Sequence, residues 1–438
     1  MSPRGRFRCL ALAVFLLPLL LSCKAQPVPE APPARAALRP ASGIRPDEHA
    51  TDLHELRDPR DNRPPLPRPL RRCFPGDGAL SPQRPLVALL DRAAELYDQG
   101  VARAQGPGPA EEARAAYEEA LVCAEEAARL DPRSVDAHYN RGLALLELGQ
   151  VEAARDALTR ALAIDPDDVK SLAAAADLYI NHLGPSLDHT ETGLEYARRG
   201  SRRLRRSKDK LMIARMALLE GQALNDLGHP RESLARLEAS LAAHDNVQAH
   251  YERAVALFDL CRFEEARRGF SEVSRRAPDD AWAQHYLGLV LEFLGRQAEA
   301  DRAFERARRQ RPQDFPPPLP IDPAEFRSLV LQEAEALPPE LRADLRHVSL
   351  QTADLPDVVD LTAEEPPLSP TILGLFRGPP LGQTPDGMPR TIILYRKNLL
   401  RAVASREELR AQIRTTLLHE LGHLHGEDDE TLRARGLE

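Results

Sequence analysis

Apolar and polar positions divide the chain into four stretches of different rhythm. Residues 9–21 form one apolar run, too short to span a bilayer. Residues 24–84 hold few large apolar side chains, and the segment from Arg63 to Pro69 alternates prolines in a way that excludes helix interior and central strand. From about 86 to 314 the rhythm is helical, and it recurs. Pro132 and Pro166 are 34 residues apart, as are Pro278 and Pro312, Ala120 and Ala154, Ala254 and Gly288, Ala266 and Ala300, and Phe270 and Phe304. Beyond Pro316, Pro317 and Pro318 the pattern becomes mixed. Residues 323–337 predict a helix with Phe326, Leu329, Val330 and Ala334 on one face. Residues 348–353, 372–376 and 391–395 predict strands, and the acidic, proline-containing 359–370 a loop. Ser405, with Glu408 three residues on, opens a last helix that runs to about Leu424.

A fixed period of this length means stacked helix pairs, each burying a face on its neighbour. In the copy from 135 to 168, Gly142 is the small residue where two helices cross and Gly149 makes the turn. Ala154 and Ala161 pack the second helix, and Pro166 ends the unit. Residues 247–280 and 281–314 repeat the scheme, the last with Gly288, Gly295, Ala300, Phe304, Ala307 and Pro312. This pattern resembles the tetratricopeptide repeat. Weaker copies run around 101–132, 169–184 and 214–246; Pro107 and Pro109 interrupt the first, and 183–206 carries an irregular insertion. The predicted fold is mainly α: a tetratricopeptide-repeat α-solenoid over 86–315, followed by a small α+β domain over 318–438. The resemblance implies a groove that binds peptides or partner proteins.

Composition narrows the partners. Aromatics are 5% of the chain, which argues against a large β-sandwich. A formal net charge of -8 disfavours nucleic acid as a general partner. No apolar run of about 20 residues exists, which excludes a polytopic membrane protein. One strongly basic tract stands out, with Arg198, Arg199, Arg202, Arg203, Arg205 and Arg206; it reads as a solvated helix face with Leu194, Ala197 and Leu204 turned inward, with an anionic partner or lipid headgroups as the alternative. His138, His250 and His285 read as groove-lining or packing residues, and Trp282 as core.

The N-terminus reads as an address. Arg4, Arg6 and Arg8 precede the apolar run, which ends in Leu20-Leu21-Ser22-Cys23. This resembles the lipobox of bacterial lipoproteins, and the resemblance implies a signal peptide over 1–22, cleavage after Ser22, and a lipid anchor on Cys23. Lys24, rather than an aspartate, follows the cysteine, so the expected place is the outer membrane, facing the periplasm. Residues 23–85 then read as a disordered, Pro/Arg-rich tether. Of five cysteines, the resemblance implies that Cys9 would leave with the leader and Cys23 would carry lipid. Cys73, Cys123 and Cys261 remain. No disulfide framework and no CxxC metal site is expected, and Cys123 and Cys261 read as buried thiols.

The last predicted helix carries His419-Glu420-Leu421-Gly422-His423. Residues four apart share one helical face, so both imidazoles can reach one zinc ion. Glu420 stands beside the first histidine as general base toward zinc-activated water. Gly426 follows to break the helix, and Asp429 lies three residues later. HExxHxxGxxD is the pattern of metzincin-like sites with aspartate as third ligand. Asp428 is the alternative, and His425 reads as supporting or solvent-facing. With the sequence ending at Glu438, no room remains for a third ligand far downstream. No methionine lies beyond Met388, so the apolar floor under the metal falls to Leu432 or Leu437.

Residues 337–341, 348–356, 373–378, 389–396 and 415–426 occur in the order seen in the minimal zincin-like metallopeptidase family, which the stretch 320–438 resembles. The resemblance implies Zn2+ and hydrolysis of peptide bonds. Tyr395 and Arg377 are candidates to steady the oxyanion, with packing and surface roles as the alternatives. Two functions compete. One is an envelope-anchored zinc metallopeptidase whose repeats dock a protein substrate or partner. The other is a tetratricopeptide-repeat scaffold lipoprotein for envelope assembly, with a non-catalytic zinc domain. The intact Glu420 favours the enzyme, because a structural zinc site has no use for it.

Overall fold

A computed structural model describes Cys73 and residues 85–106, 108–363, 365–383 and 389–437. The leader and Cys23 lie outside the described residues. Twelve helices make six antiparallel pairs: α1 (Pro85–Gln105) with α2 (Ala110–Leu130), α3 (Val135–Glu147) with α4 (Val151–Ile164), and α5 (Val169–Asn181) with α6 (Leu187–Arg203). They continue as α7 (Lys210–Asp226) with α8 (Pro230–Ala243), α9 (Val247–Asp259) with α10 (Phe263–Arg276), and α11 (Ala281–Phe293) with α12 (Gln297–Gln310).

Local chemistry starts the first helix of every pair after the first. Ser134, Asp168, Asp209, Asn246 and Asp280 cap α3, α5, α7, α9 and α11, each side chain accepting a backbone N–H three residues on. The crossing points demand a small residue. A Cβ on Gly142 would stand 2.8 Å from Leu158, and one on Gly288 2.5 Å from Phe304. In the fifth pair the roles exchange: Ala254 lies on the first helix and Gly269 on the second. The three-residue turns within the second, fourth and sixth pairs use a left-handed residue, supplied by Gly149, Gly228 and Gly295 at φ 75°, 74° and 69°. In the fifth pair that residue is Cys261, at φ 56°.

Two expectations are corrected. Cys73 and Cys123 form a disulfide with Cα atoms 5.6 Å apart, so Cys123 is not a free thiol. The bond ties the segment ahead of α1 to the middle of α2, and Cys73 is buried with Leu89, Ala93 and Ala120. The second correction concerns 183–206. Its extra residues are shared among a longer α5–α6 turn, a longer α6, which is one continuous helix of 17 residues, and a longer link to α7 that begins with a 3-10 turn over Leu204–Arg206.

The C-terminal unit follows with α13 (Pro323–Glu335), α14 (Pro339–Leu345), β1 (Ser349–Ala353), α15 (Val358–Leu361), β2 (Gly374–Arg377), β3 (Thr391–Tyr395), α16 (Arg396–Arg401), α17 (Arg406–Leu424) and α18 (Asp429–Ala434). The sheet order is β1-β3-β2, with β1 parallel and β2 antiparallel to β3. The acidic stretch expected as a loop contains the short α15, whose Leu361 is buried. Phe326, Val330, Ile392, Leu394, Leu409, Ile413 and Leu417 fill the core between α13, β3 and α17. No described helix is long and apolar enough to cross a membrane.

The two units meet through a buried carboxylate. Glu292, at the end of α11, binds Lys397 Nζ at 2.9 Å and the Arg401 guanidinium, both from α16. Arg401 also lies over the Phe304 ring, 5.1 Å from its centroid. Phe315 stacks on His285 at 4.6 Å and meets Trp282 edge-on at 4.8 Å, which makes Trp282 a packing residue as expected. Enclosure by these rings, with the Arg401 charge nearby, pushes the His285 imidazole down to about 3.

Candidate metal centre

The site is carried by α17, and three things fix that helix. Ser405 accepts the Glu408 N–H at 3.1 Å, and Glu408 accepts the Ala404 N–H at 2.7 Å, which closes the first turn. Glu333 of α13, 1% exposed, receives Arg410 Nε at 2.6 Å and Arg414 Nη2 at 2.7 Å. At the far end Gly426 takes φ 83°, and the Glu427 N–H returns to the Gly422 carbonyl at 3.0 Å.

That stop turns the chain back on the helix. Asp428 caps α18, accepting the Thr431 N–H at 2.9 Å, so its carboxylate is occupied and held below the usual carboxylate range by that bonding. Asp429, the next residue, is free to face the histidines. Its Oδ1 lies 3.5 Å from His419 Nε2 and 3.2 Å from His423 Nε2, and the two Nε2 atoms are 3.1 Å apart. These three form the only His/Cys/Asp/Glu group among the described residues placed to hold a metal ion. His425 turns away and bonds Asp344 at 3.0 Å. His138 and His250 meet Pro132 and Asp245 instead.

The donor set fits zinc. Ligands at 2.0–2.1 Å on tetrahedral corners are separated by about 3.3 Å; the edges here are 3.1, 3.2 and 3.5 Å. Both imidazoles are oriented through the other ring nitrogen. His419 Nδ1 bonds the Leu437 carbonyl at 2.7 Å and His423 Nδ1 bonds the Glu427 carbonyl at 3.0 Å. A carbonyl only accepts, so each Nδ1 carries the proton, and two Nε2 lone pairs face each other. Repulsion at that distance is relieved by a cation between them. Sequence reasoning had no access to the two carbonyls, since every residue carries one. It also missed Glu333, which looks like any helical glutamate.

Glu420 sits beneath β2 and is 4% exposed. A Cβ on Gly374 would meet its Oε1 at 2.6 Å, so only glycine lets the strand pass there. Burial pushes its carboxyl up to about 8, with the Asp429 charge adding to the rise and the Phe376 backbone N–H opposing it. Gly374 faces α17 and pairs with Leu394, so Tyr395, one residue on, points to the opposite side of the sheet. Arg377 is held there by Asp360. The Tyr395 phenol is buried without a hydrogen-bond partner among the described residues, and the charges of Asp360, Arg377 and Glu420 all reach it. Of the two floor candidates, Leu432 is fully buried and packs directly against Gly422. Leu437 contributes its carbonyl.

A family model described as zincin-like metallopeptidase matches residues 345–437, and tetratricopeptide-repeat models match 111–149, 135–168 and 218–281. Among solved structures, YrrB, described as a tetratricopeptide-repeat protein with an unusual peptide-binding site, is 16% identical. The match covers 43% of this chain and 93% of that one, with a TM-score of 0.34. The Pseudomonas aeruginosa pilF structure is 18% identical over 51% of this chain and 94% of its own, with a TM-score of 0.41. PilW, described as a type IV pilus biogenesis factor, is 18% identical over 50% and 94%, also at 0.41. No curated protein matches the chain.

Proposed function

From a chain that carries tetratricopeptide repeats and a C-terminal zincin-like metallopeptidase domain, we propose a zinc-dependent peptidase of the cell envelope, with His419, His423 and Asp429 as ligands and Glu420 as general base. The observation that carries the reading is the triangle of donor atoms at 3.1, 3.2 and 3.5 Å, with both imidazole tautomers set from behind. Zinc held there supplies a Lewis acid for the scissile carbonyl and lowers the pKa of water. Glu420 takes the proton from the attacking water and delivers it to the leaving amine. The Phe376 N–H holds that carboxylate in place, and the close passage of Gly374 keeps bulk water from it. The repeats dock a protein substrate or partner.

Two features support the envelope. The lipobox ending at Cys23 implies export and an anchor, with the outer membrane as the destination. The Cys73–Cys123 disulfide suits an oxidising compartment.

Metal content of the full chain tests the reading. About one zinc per chain is expected, lost in His419→Ala and Asp429→Ala. Glu420→Gln should keep the metal and lose cleavage of a peptide library. A wild-type chain that takes up no zinc when supplied with it overturns the proposal.

A further inference from the structure

The two edges of the repeat array differ in charge and in what they touch. Turns within a pair lie on one edge, and that edge holds the metal domain: Arg231 reaches Glu365, and Glu292 and Gln297 reach Lys397. Connections between pairs lie on the other edge. There the chain between α6 and α7 runs Arg202-Arg203-Leu204-Arg205-Arg206-Ser207-Lys208-Asp209-Lys210-Leu211. Arg198, Arg199 and Arg203 are matched by Glu232 and Asp167. Arg202, Arg205, Arg206, Lys208 and Lys210 are exposed, and none has a carboxylate partner among the described residues. Asp209, the one acid in the tract, spends its carboxylate on the Met212 N–H. Elsewhere on the same edge, Arg275 and Arg276 are paired with Glu272, and Arg308 and Arg309 with Glu305.

An apolar side chain stands among these cations. Leu211 is 63% exposed, although it opens a helix whose other leucines are largely covered. Unpaired cations around a projecting leucine suit a layer of anionic headgroups, where the charges stay at phosphate level and the leucine enters the apolar boundary. The first helices of all pairs begin on this edge, so Pro85 lies there too. We propose that the α6–α7 connection is a docking surface for an anionic lipid bilayer, and that it seats the array edge-on with the metal domain on the side away from the membrane. The inference requires neither bound zinc nor a lipid on Cys23.

The test uses the full chain with Cys23→Ser and co-sedimentation with phosphatidylcholine vesicles, with and without phosphatidylglycerol. The triple variant Arg202→Gln, Arg205→Gln, Arg206→Gln removes three exposed cations that support no described contact. At roughly a fivefold loss per cation, its binding to the anionic vesicles should fall on the order of 10²-fold. Raised salt should erase the wild-type preference. Arg308→Gln with Arg309→Gln, on the same edge but paired, should stay within about twofold of wild type. Equal partition onto both vesicle types overturns the proposal, as does a triple variant that binds like wild type. An equal fall in the paired control would show diffuse charge and no patch. Salt-sensitive capture of duplex DNA without a vesicle preference would assign the patch to nucleic acid and overturn it too.

Discussion

The repeat array and the metal domain use glycine for the same purpose and stake different things on it. Gly142 lets α3 cross α4, and neighbouring pairs solve the same problem with Gly221 against Leu237 or Gly288 against Phe304. The array holds several copies of one solution, and each contact serves mainly its own pair. Gly422 lets α17 meet α18 at Leu432, and no second copy exists. That one contact sets where Asp429 stands relative to His419 and His423. Repetition makes the array tolerant of local defects, while in the C-terminal domain a local shift would take Asp429, a proposed ligand, away from the two imidazoles.

The largest expected effect lies in the array, where its first pair has a covalent tie. Cys73→Ser with Cys123→Ser opens a 50-residue loop and should cost about 2–4 kcal/mol in that pair. Zinc affinity should not change; a parallel loss of zinc would break the comparison. Glu333→Ala strips two arginines from the back of α17. Both arginines are half exposed, so the cost should be about 2 kcal/mol, read as a lower denaturation midpoint. Gly422→Ala and Gly142→Ala sharpen the contrast directly. Each should cost about 1–3 kcal/mol by overpacking, and only Gly422→Ala should weaken zinc binding, on the order of tenfold, by chelator competition.

Acid probes the junction between the two regions. His285 stays neutral in the fold and titrates near 6.5 when unfolded, so the unfolded chain binds more protons and stability falls as pH drops from 6.5 toward 3. At pH 5.5 the loss should stay under about 1.4 kcal/mol, and His285→Phe should flatten it in thermal melts. The smallest effect is a gain. Cys261 holds a left-handed conformation where three other pairs use glycine, so Cys261→Gly should stabilise by about 0.5–1 kcal/mol.

What could be read from the sequence was whatever is local or periodic. Helix caps, crossing glycines and the four-residue spacing of His419 and His423 each state their geometry within a few positions. The mainly α solenoid and the small mixed domain followed from that. Contacts between distant, ordinary residues could not be read. Cys73 lies in a Pro/Arg-rich tract with no periodic partner, so nothing local pointed to Cys123. Glu292 looked like one more helical acid until Lys397 and Arg401 were brought to it from more than a hundred positions away. Which of Asp428 and Asp429 caps α18 and which faces the histidines turned on one peptide plane.

The junction at Glu292 also bears on how such a chain can change by gene duplication. Arrays of this kind lengthen when a repeat is copied, and a copy inserted between interior pairs meets the neighbours it was built for. After α12 the same event would separate Glu292 from Lys397 and Arg401, and Phe315 from His285. The pair that ends the array must therefore carry these junction residues, and a copy of any other pair is accommodated only in the stretch before it.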